Sequence, residues 1–81
     1  MRIEVKLFAA IRESIDDDSF VCEMPPGATV KELRAALVEA HPGVAELVAH
    51  STFAIESKYV IDSVELSEGE EVACIPPVSG G

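Results

Sequence analysis

The sequence predicts an α+β domain in which a mixed β-sheet carries one main helix packed on one face. Residues 2–8 alternate between apolar and charged side chains, which is typical of a strand with one buried face. Thr29 and Glu32 form the capping box of an amphipathic helix in the middle of the chain. A final apolar strand, residues 71–75, ends at two prolines. Because one helix separates the pairs of strands, the chain must cross over the sheet, which makes the sheet mixed.

The first strand has the clearest pattern in the chain. Ile3, Val5 and Leu7 share one face, and the residues between them are charged. Phe8 breaks this alternation, so its side chain is expected to face solvent.

The following segment leads into a second strand. Residues 9–14 are compatible with a short helical turn, and the aspartates at 16–18 with an acidic loop. Calcium loops space their ligands around a required Gly, which this loop lacks, so no metal site is predicted. Residues 19–24 alternate as a second strand, and the short connection suggests a hairpin with the first.

The main helix begins after Thr29 and ends before Pro42 and Gly43, because Pro cannot continue a helix and Gly suits a reversal. His41 is interpreted as a helix-end residue that suits the helix dipole, rather than as a base or a ligand. Residues 44–48 suggest a second, short helix. The apolar stripe at helical spacing consists of Val30, Leu33, Ala36, Leu37 and Ala40.

Two short strands, residues 53–55 and 59–61, precede the last strand. In the last strand, Cys74 is expected to face inward and Ile75 outward. This order of elements is that of the β-grasp, or ubiquitin-like, fold. In that fold the last strand runs beside the first in the middle of the sheet.

Composition restricts the function. The 81 residues fit one domain, and 48% apolar residues support a buried core. The net charge of −9 argues against nucleic acid, whose phosphates select basic surfaces, and against an anionic membrane. It favours a basic protein partner.

The two cysteines, Cys22 and Cys74, lie within apolar runs and are interpreted as buried structural thiols of a reducing compartment. Met1 leads directly into a strand pattern, without a visible signal peptide. No apolar run approaches the ~20 residues of a membrane span. A cytoplasmic location is therefore expected.

The C-terminal segment is the candidate working end. We divide the chain into a domain of residues 1–75 and an extended, flexible tail of residues 76–81. Two prolines stop the last strand and impose an extended path, and Gly80 and Gly81 remove every side chain next to the carboxylate. The tail could reach roughly 20 Å at ~3.3 Å per residue. It would act as a thin probe with a bare carboxylate at its tip.

Three stretches carry a resemblance to a known family. They are Leu7-Phe8-Ala9 followed by Arg12-Glu13, the turn Glu68-Gly69-Glu70-Glu71-Val72, and the ending Pro76-Pro77-Val78-Ser79-Gly80-Gly81. On these residues the chain resembles the small subunits of molybdopterin synthase, sulfur-carrier proteins of the ubiquitin-like superfamily. It departs from the family pattern at Glu56, where Asn is frequent, and at Cys74-Ile75, where aromatic residues are common.

The resemblance implies a function. The carboxylate of Gly81 would be adenylated by an ATP-dependent activating enzyme and then converted to a thiocarboxylate. In a heterotetramer, the large subunit would accept Pro77, Val78, Ser79 and Gly80 in its active site, and sulfur would pass to cyclic pyranopterin monophosphate. The chain itself would hold no bound cofactor, no metal and no catalytic base, and would be the sulfur-donating subunit of a sulfurtransferase.

A partner surface is expected beside the tail. The alternation pushes Phe8 and Ile75 outward, and the resemblance adds Tyr59 and, as a polar contact, Arg12. Contiguous exposed apolar patches of this kind usually mark interfaces.

Three alternatives stay open. The chain could be a thiamin-pathway sulfur carrier, a ubiquitin-like modifier joined to lysines through Gly81, or a binding module with an inert tail.

Overall fold

The alternating first strand becomes the structural partner of the last strand. The computed structural model describes residues 1–77 of the chain. Its elements in chain order are β1 (Arg2–Leu7), α1 (Ala9–Ile15), β2 (Ser19–Glu23), α2 (Val30–Ala40), a 3₁₀ turn (Pro42–Val44), α3 (Ala45–Ala49), β3 (Thr52–Ile55), β4 (Lys58–Val60) and β5 (Glu71–Ile75). Within the described residues, no helix has the length and apolar character to cross a membrane.

The five strands form one mixed sheet in the order β2-β1-β5-β3-β4. The β1–β5 pair is parallel, and the pairs β1–β2, β3–β5 and β3–β4 are antiparallel. The last strand therefore lies beside the first in the middle of the sheet, as the β-grasp prediction requires. This arrangement confirms the predicted fold class.

The inner face of the sheet is the buried face. Val5 lies opposite Val72 and Leu7 opposite Cys74, and none of these four side chains exceeds 2% exposure. Phe53 on β3 continues this layer at 0% exposure. The predicted inward positions of the first and last strands are confirmed. The apolar side chains of the helices cover this face, and the opposite face stays open.

The capping box opens α2 as the sequence predicts. The Thr29 hydroxyl accepts from the Glu32 backbone N–H, and the Glu32 carboxylate accepts from the Thr29 N–H at 3.1 Å. Of the predicted apolar stripe, Val30, Leu33 and Leu37 are fully buried. Ala40 is exposed because the helix ends there.

The β3–β4 hairpin has a turn that its sequence does not favour. Glu56 and Ser57 both have positive φ, +51° and +65°, between the paired residues Ile55 and Lys58. A two-residue hairpin loop with positive φ at both positions prefers Asn-Gly or Asp-Gly. Glu and Ser have a Cβ that disfavours this region, so the turn is strained.

A half-buried guanidinium joins the helices to the rest of the domain. Arg34 on α2 donates hydrogen bonds of 2.7 Å to the carbonyls of Val48 and Ser51, at the end of α3. It also donates to the Asp62 carboxylate at 2.7 Å and lies 4.7 Å from the centre of the Phe53 ring. Because α3 has only five residues, these bonds supply much of what fixes its C-terminal end.

We expect Arg34→Met to lower the free energy of unfolding by about 2 kcal/mol, since it takes the guanidinium donor from the Ser51 carbonyl and the Asp62 carboxylate and leaves the Val48 carbonyl with the Ser51 N–H alone. In a domain of this size, the midpoint of thermal unfolding should fall by about 8–16 °C. Lys31→Met is the matched control, because Lys31 lies exposed on the same helix. Equal melting of the two variants would show that the Arg34 bonds do not stabilise the fold.

Candidate functional site

The tail begins at the centre of the sheet. β5 ends at Ile75, Pro76 is buried and Pro77 is exposed, so packing against the domain continues one residue past the strand. The residues predicted to enter a partner, Val78, Ser79 and Gly80, and the predicted reacting residue Gly81 lie outside the described part of the chain. Of the residues predicted to enter the partner, Pro77 alone lies within the described part of the chain. The division of the chain into a domain that ends at residue 75 and a tail that begins at residue 76 stays a prediction.

A groove crosses the open face of the sheet beside the point where the tail leaves. Its volume is about 680 Å³, and Phe8, Tyr59 and Ile75 are among its lining residues. Ala54 and Ala73, paired with each other on β3 and β5, line it as well. Because the side chains of both alanines are short, they leave a depression between the larger side chains of Phe8, Tyr59 and Ile75. We call this feature the open-face groove.

Local structure determines where Phe8 and Tyr59 lie. Phe8 is the extended N-cap residue of α1, with φ −131° and ψ 155°, and its carbonyl accepts from the N–H groups of Ile11 and Arg12. Ala9 follows with a positive φ of +50°. Phe8 is 43% exposed. Tyr59 lies on β4, opposite Ala54 of β3, and is 75% exposed. Both aromatic rings are therefore available to a partner.

One end of the groove is acidic. Glu56, Glu70 and Glu71 line it at the end away from the tail, where the β3–β4 turn meets the start of β5. Glu70 accepts a hydrogen bond from the Ser67 N–H at 2.9 Å. The ion pairs in the described residues join Met1 to Glu23 and Arg34 to Asp62, and the His50 ring lies 3.7 Å from the Glu46 carboxylate. None of them neutralises this acidic end.

Arg12 lies beside the groove rather than in it. It lines a neighbouring depression that also contains Lys6, Phe8 and Asp18. A second depression places Arg12 with Glu13 and the aspartates at 16–18. The structure therefore brings Phe8, Tyr59 and Ile75 together and leaves Arg12 adjacent to them, amid acidic side chains.

The thiols do not provide a nucleophile. Burial raises the pKa of the Cys74 thiol, although a hydrogen bond to Ser51 and the charge of Arg34 offset part of this effect. Burial, followed by the charge of Glu23, raises the pKa of Cys22. Both thiols stay protonated near neutral pH and react slowly. Cys22 is only partly buried, contrary to its interpretation as a core thiol, because β2 is an edge strand.

Within residues 1–77, no group of three His, Cys, Asp or Glu side chains is arranged to hold a metal ion. What the described site offers is a surface with an apolar centre and an acidic end. Sequence reasoning missed Ala54, Ala73 and the acidic end. The sequence did place small alanine side chains at outward positions of β3 and β5, and these two strands are neighbours in the sheet. That pattern was the available indication of a groove.

Comparison with protein families gives one match across nearly the whole chain. The profile described as the ThiS family matches residues 5–81. The chain is also 37% identical over 83 residues to the molybdopterin synthase sulfur carrier subunit of Chlamydomonas reinhardtii, and the alignment covers 100% of both chains.

Solved structures give two informative similarities. SAMP1 from Haloferax volcanii, a small archaeal modifier protein, is similar with a TM-score of 0.87 and 28% identity, covering 100% of both chains. A chain in the complex of subunits 1 and 2 of molybdopterin-converting factor from Helicobacter pylori 26695 is similar with a TM-score of 0.70 and 26% identity, again over 100% of both chains.

Proposed function

We propose, since this chain belongs to the ThiS family, that it is the sulfur carrier subunit of a molybdopterin synthase. The observation that carries the proposal is the full-length similarity to a curated subunit of that name, together with a Gly80-Gly81 ending that follows a central strand. The H. pylori structure supports a large-subunit partner, because the chain of similar fold is part of a complex of subunits 1 and 2 of molybdopterin-converting factor.

The proposed chemistry takes place at the carboxylate of Gly81. A carboxylate is ionised at neutral pH and is a poor electrophile. Its attack on the α-phosphorus of ATP, in the activating enzyme, releases pyrophosphate and gives an acyl adenylate. Sulfur at the sulfide oxidation level then attacks the acyl carbon, so that a C–S bond forms, the C–O bond to AMP breaks, and AMP leaves to give a thiocarboxylate. ATP is thus used by the activating enzyme and is not a bound cofactor of this chain.

The tail supplies access for this chemistry. In the large subunit, the thiocarboxylate sulfur would pass to cyclic pyranopterin monophosphate, and the carboxylate would be regenerated by water. Glycines at positions 80 and 81 allow close approach of other backbones. In the activating enzyme, a closed site around the tail would exclude water from the acyl adenylate, which otherwise hydrolyses. All catalytic groups would then belong to the partners, in a cytoplasmic heterotetramer.

The open-face groove is the proposed docking surface for these partners. Phe8, Tyr59 and Ile75 give it an apolar centre next to the root of the tail. Arg12 would add a polar contact at its border. An apolar centre with a charged margin is the usual anatomy of a protein interface.

A second candidate function is protein modification through Gly81. The similarity to SAMP1, a modifier protein, favours it. Isopeptide-linked Gly81 on lysines of cellular proteins would support the modifier function. Loss of molybdopterin in cells lacking the chain would support the sulfur carrier, and a thiamin requirement would support the thiamin-pathway alternative.

Deletion of Gly81 tests the chemistry. We expect unchanged thermal unfolding, because residue 81 lies beyond the strand that completes the core, and complete loss of the thiocarboxylate. Intact mass of the protein isolated from cells would measure the replacement of oxygen by sulfur. A thiocarboxylate on the shortened chain would overturn the assignment to Gly81.

Substitution Gly80→Ala tests whether the tail threads a narrow channel. We expect normal folding and partner binding but sulfur transfer at least about tenfold slower, because an added Cβ disturbs positioning at the reacting carboxylate. The rate of molybdopterin formation with purified large subunit is the measurement. A wild-type rate would mean that the tail needs flexibility alone.

Substitution Phe8→Asp tests the docking surface. Burying an unpaired charge in the apolar centre should weaken binding to the large subunit at least about thirtyfold. Isothermal titration calorimetry would measure the affinity. Ile61→Asp is the matched control, because Ile61 is 71% exposed and is not among the groove residues. Undiminished affinity of Phe8→Asp would place the interface elsewhere.

A further inference from the structure

Pro76 packs into the domain although the last strand has already ended. β5 ends at Ile75, and Pro76 is buried whereas Pro77 is exposed. The pairing of β5 with β1 ends at Cys74 and its pairing with β3 ends at Ile75, so Pro76 lies beyond both ladders. Because Ile75 lines the open-face groove, alternation along an extended chain places Pro76 on the opposite, core side. The domain therefore holds the chain for one residue past its last strand pair.

Proline suits this position for two reasons. It has no backbone N–H, so its burial beyond the ladders leaves no donor without a partner. Its ring fixes φ at about −65°, and the following Pro77 restricts the ψ of Pro76 to the extended region. Both backbone dihedrals at the root of the tail are thus restricted by residue type, while burial restricts the ring.

We propose that Pro76 is a positioning residue that sets the direction in which residues 77–81 leave the sheet. The inference rests on the proposed function and adds to it a residue that acts through the tail rather than at the reacting carboxylate. The large subunit is proposed to hold the domain by the open-face groove. The direction of the tail relative to that groove then decides whether the tip reaches the partner's active site.

The length of the tail makes this direction important. Five extended residues span about 16 Å, so a rotation of about 20° at the root moves the tip by about 6 Å. The reacting carboxylate must lie within about 3 Å of the group with which it reacts, and displacements of about 1 Å already slow such reactions strongly. A restrained root also leaves the tail fewer conformations to lose when the partner accepts it.

Three variants separate the direction of the tail from the stability of the fold. Pro76→Gly removes the buried ring and frees φ, whereas Pro76→Val keeps an apolar side chain that favours extended backbone but frees φ and adds an N–H. Pro25→Gly is the matched control, because Pro25 is exposed and lies two residues past the end of β2. β2 ends beside the start of β1, at the far end of the sheet from the tail.

The measurement is single-turnover sulfur transfer from carriers with a preformed Gly81 thiocarboxylate, at increasing concentrations of purified large subunit. We expect Pro76→Gly to transfer sulfur at least about tenfold more slowly at saturating large subunit, and Pro76→Val about two- to fivefold more slowly. The concentration that gives the half-maximal rate should change by less than about threefold, because the groove is unaltered. Pro25→Gly should transfer at the wild-type rate. The midpoint of thermal unfolding is measured for each carrier.

Several results would overturn the inference. A wild-type rate at saturation for Pro76→Gly would show that the restraint at the root is not needed. A loss confined to the half-maximal concentration would assign Pro76 to docking instead. An equal loss for Pro25→Gly, or a loss that disappears well below the unfolding midpoint of the variant, would show an effect of stability alone. Failure of the proposed function is distinguishable, because the wild-type carrier itself would then transfer no sulfur.

Discussion

The parallel pairing of β1 with β5 is the constraint from which the candidate site follows. It brings the first and last strands together, with Leu7 opposite Cys74, so that Phe8 and Ile75 emerge at the same end of the sheet. It also places Ala73 in the middle of the open face, between the groove's larger side chains. The root of the tail is held by hydrogen-bonded neighbours on both sides, β1 and β3. The proposed docking surface and the root of the tail are therefore both positioned by one pair of strands.

Local patterns in the sequence were sufficient for the elements and the class of fold. The alternation of Ile3, Val5 and Leu7 and the capping box at Thr29 depend on neighbours in the sequence, and both are present as predicted. The bonds of Arg34 could not be predicted, because its acceptors come from α3 and from the segment that precedes β5. Such partners are known only once the helices are packed.

The candidate site was predictable only where it depends on local sequence patterns. Phe8 was identified because it interrupts an alternation, and its 43% exposure agrees with that reasoning. The groove between Phe8 and Tyr59 required the order of the strands, since Ala54 and Ala73 become neighbours only through the β3–β5 pairing. The acidic end required in addition the conformation of the β3–β4 turn: the sequence predicted a connection between residues 55 and 59, but not the positive φ of Glu56 and Ser57.

The position of β5 also links folding of the domain to its recognition by a partner. Val72 pairs with Val5 from the opposite end of the sequence, and folds that depend on contacts so distant in the chain form more slowly. A chain in which β5 has not paired with β1 therefore lacks the floor of the groove. Under the proposed function, a partner that recognises the groove before it accepts the tail performs proofreading. Such a partner would spend ATP only on carriers in which β1 and β5 have already paired.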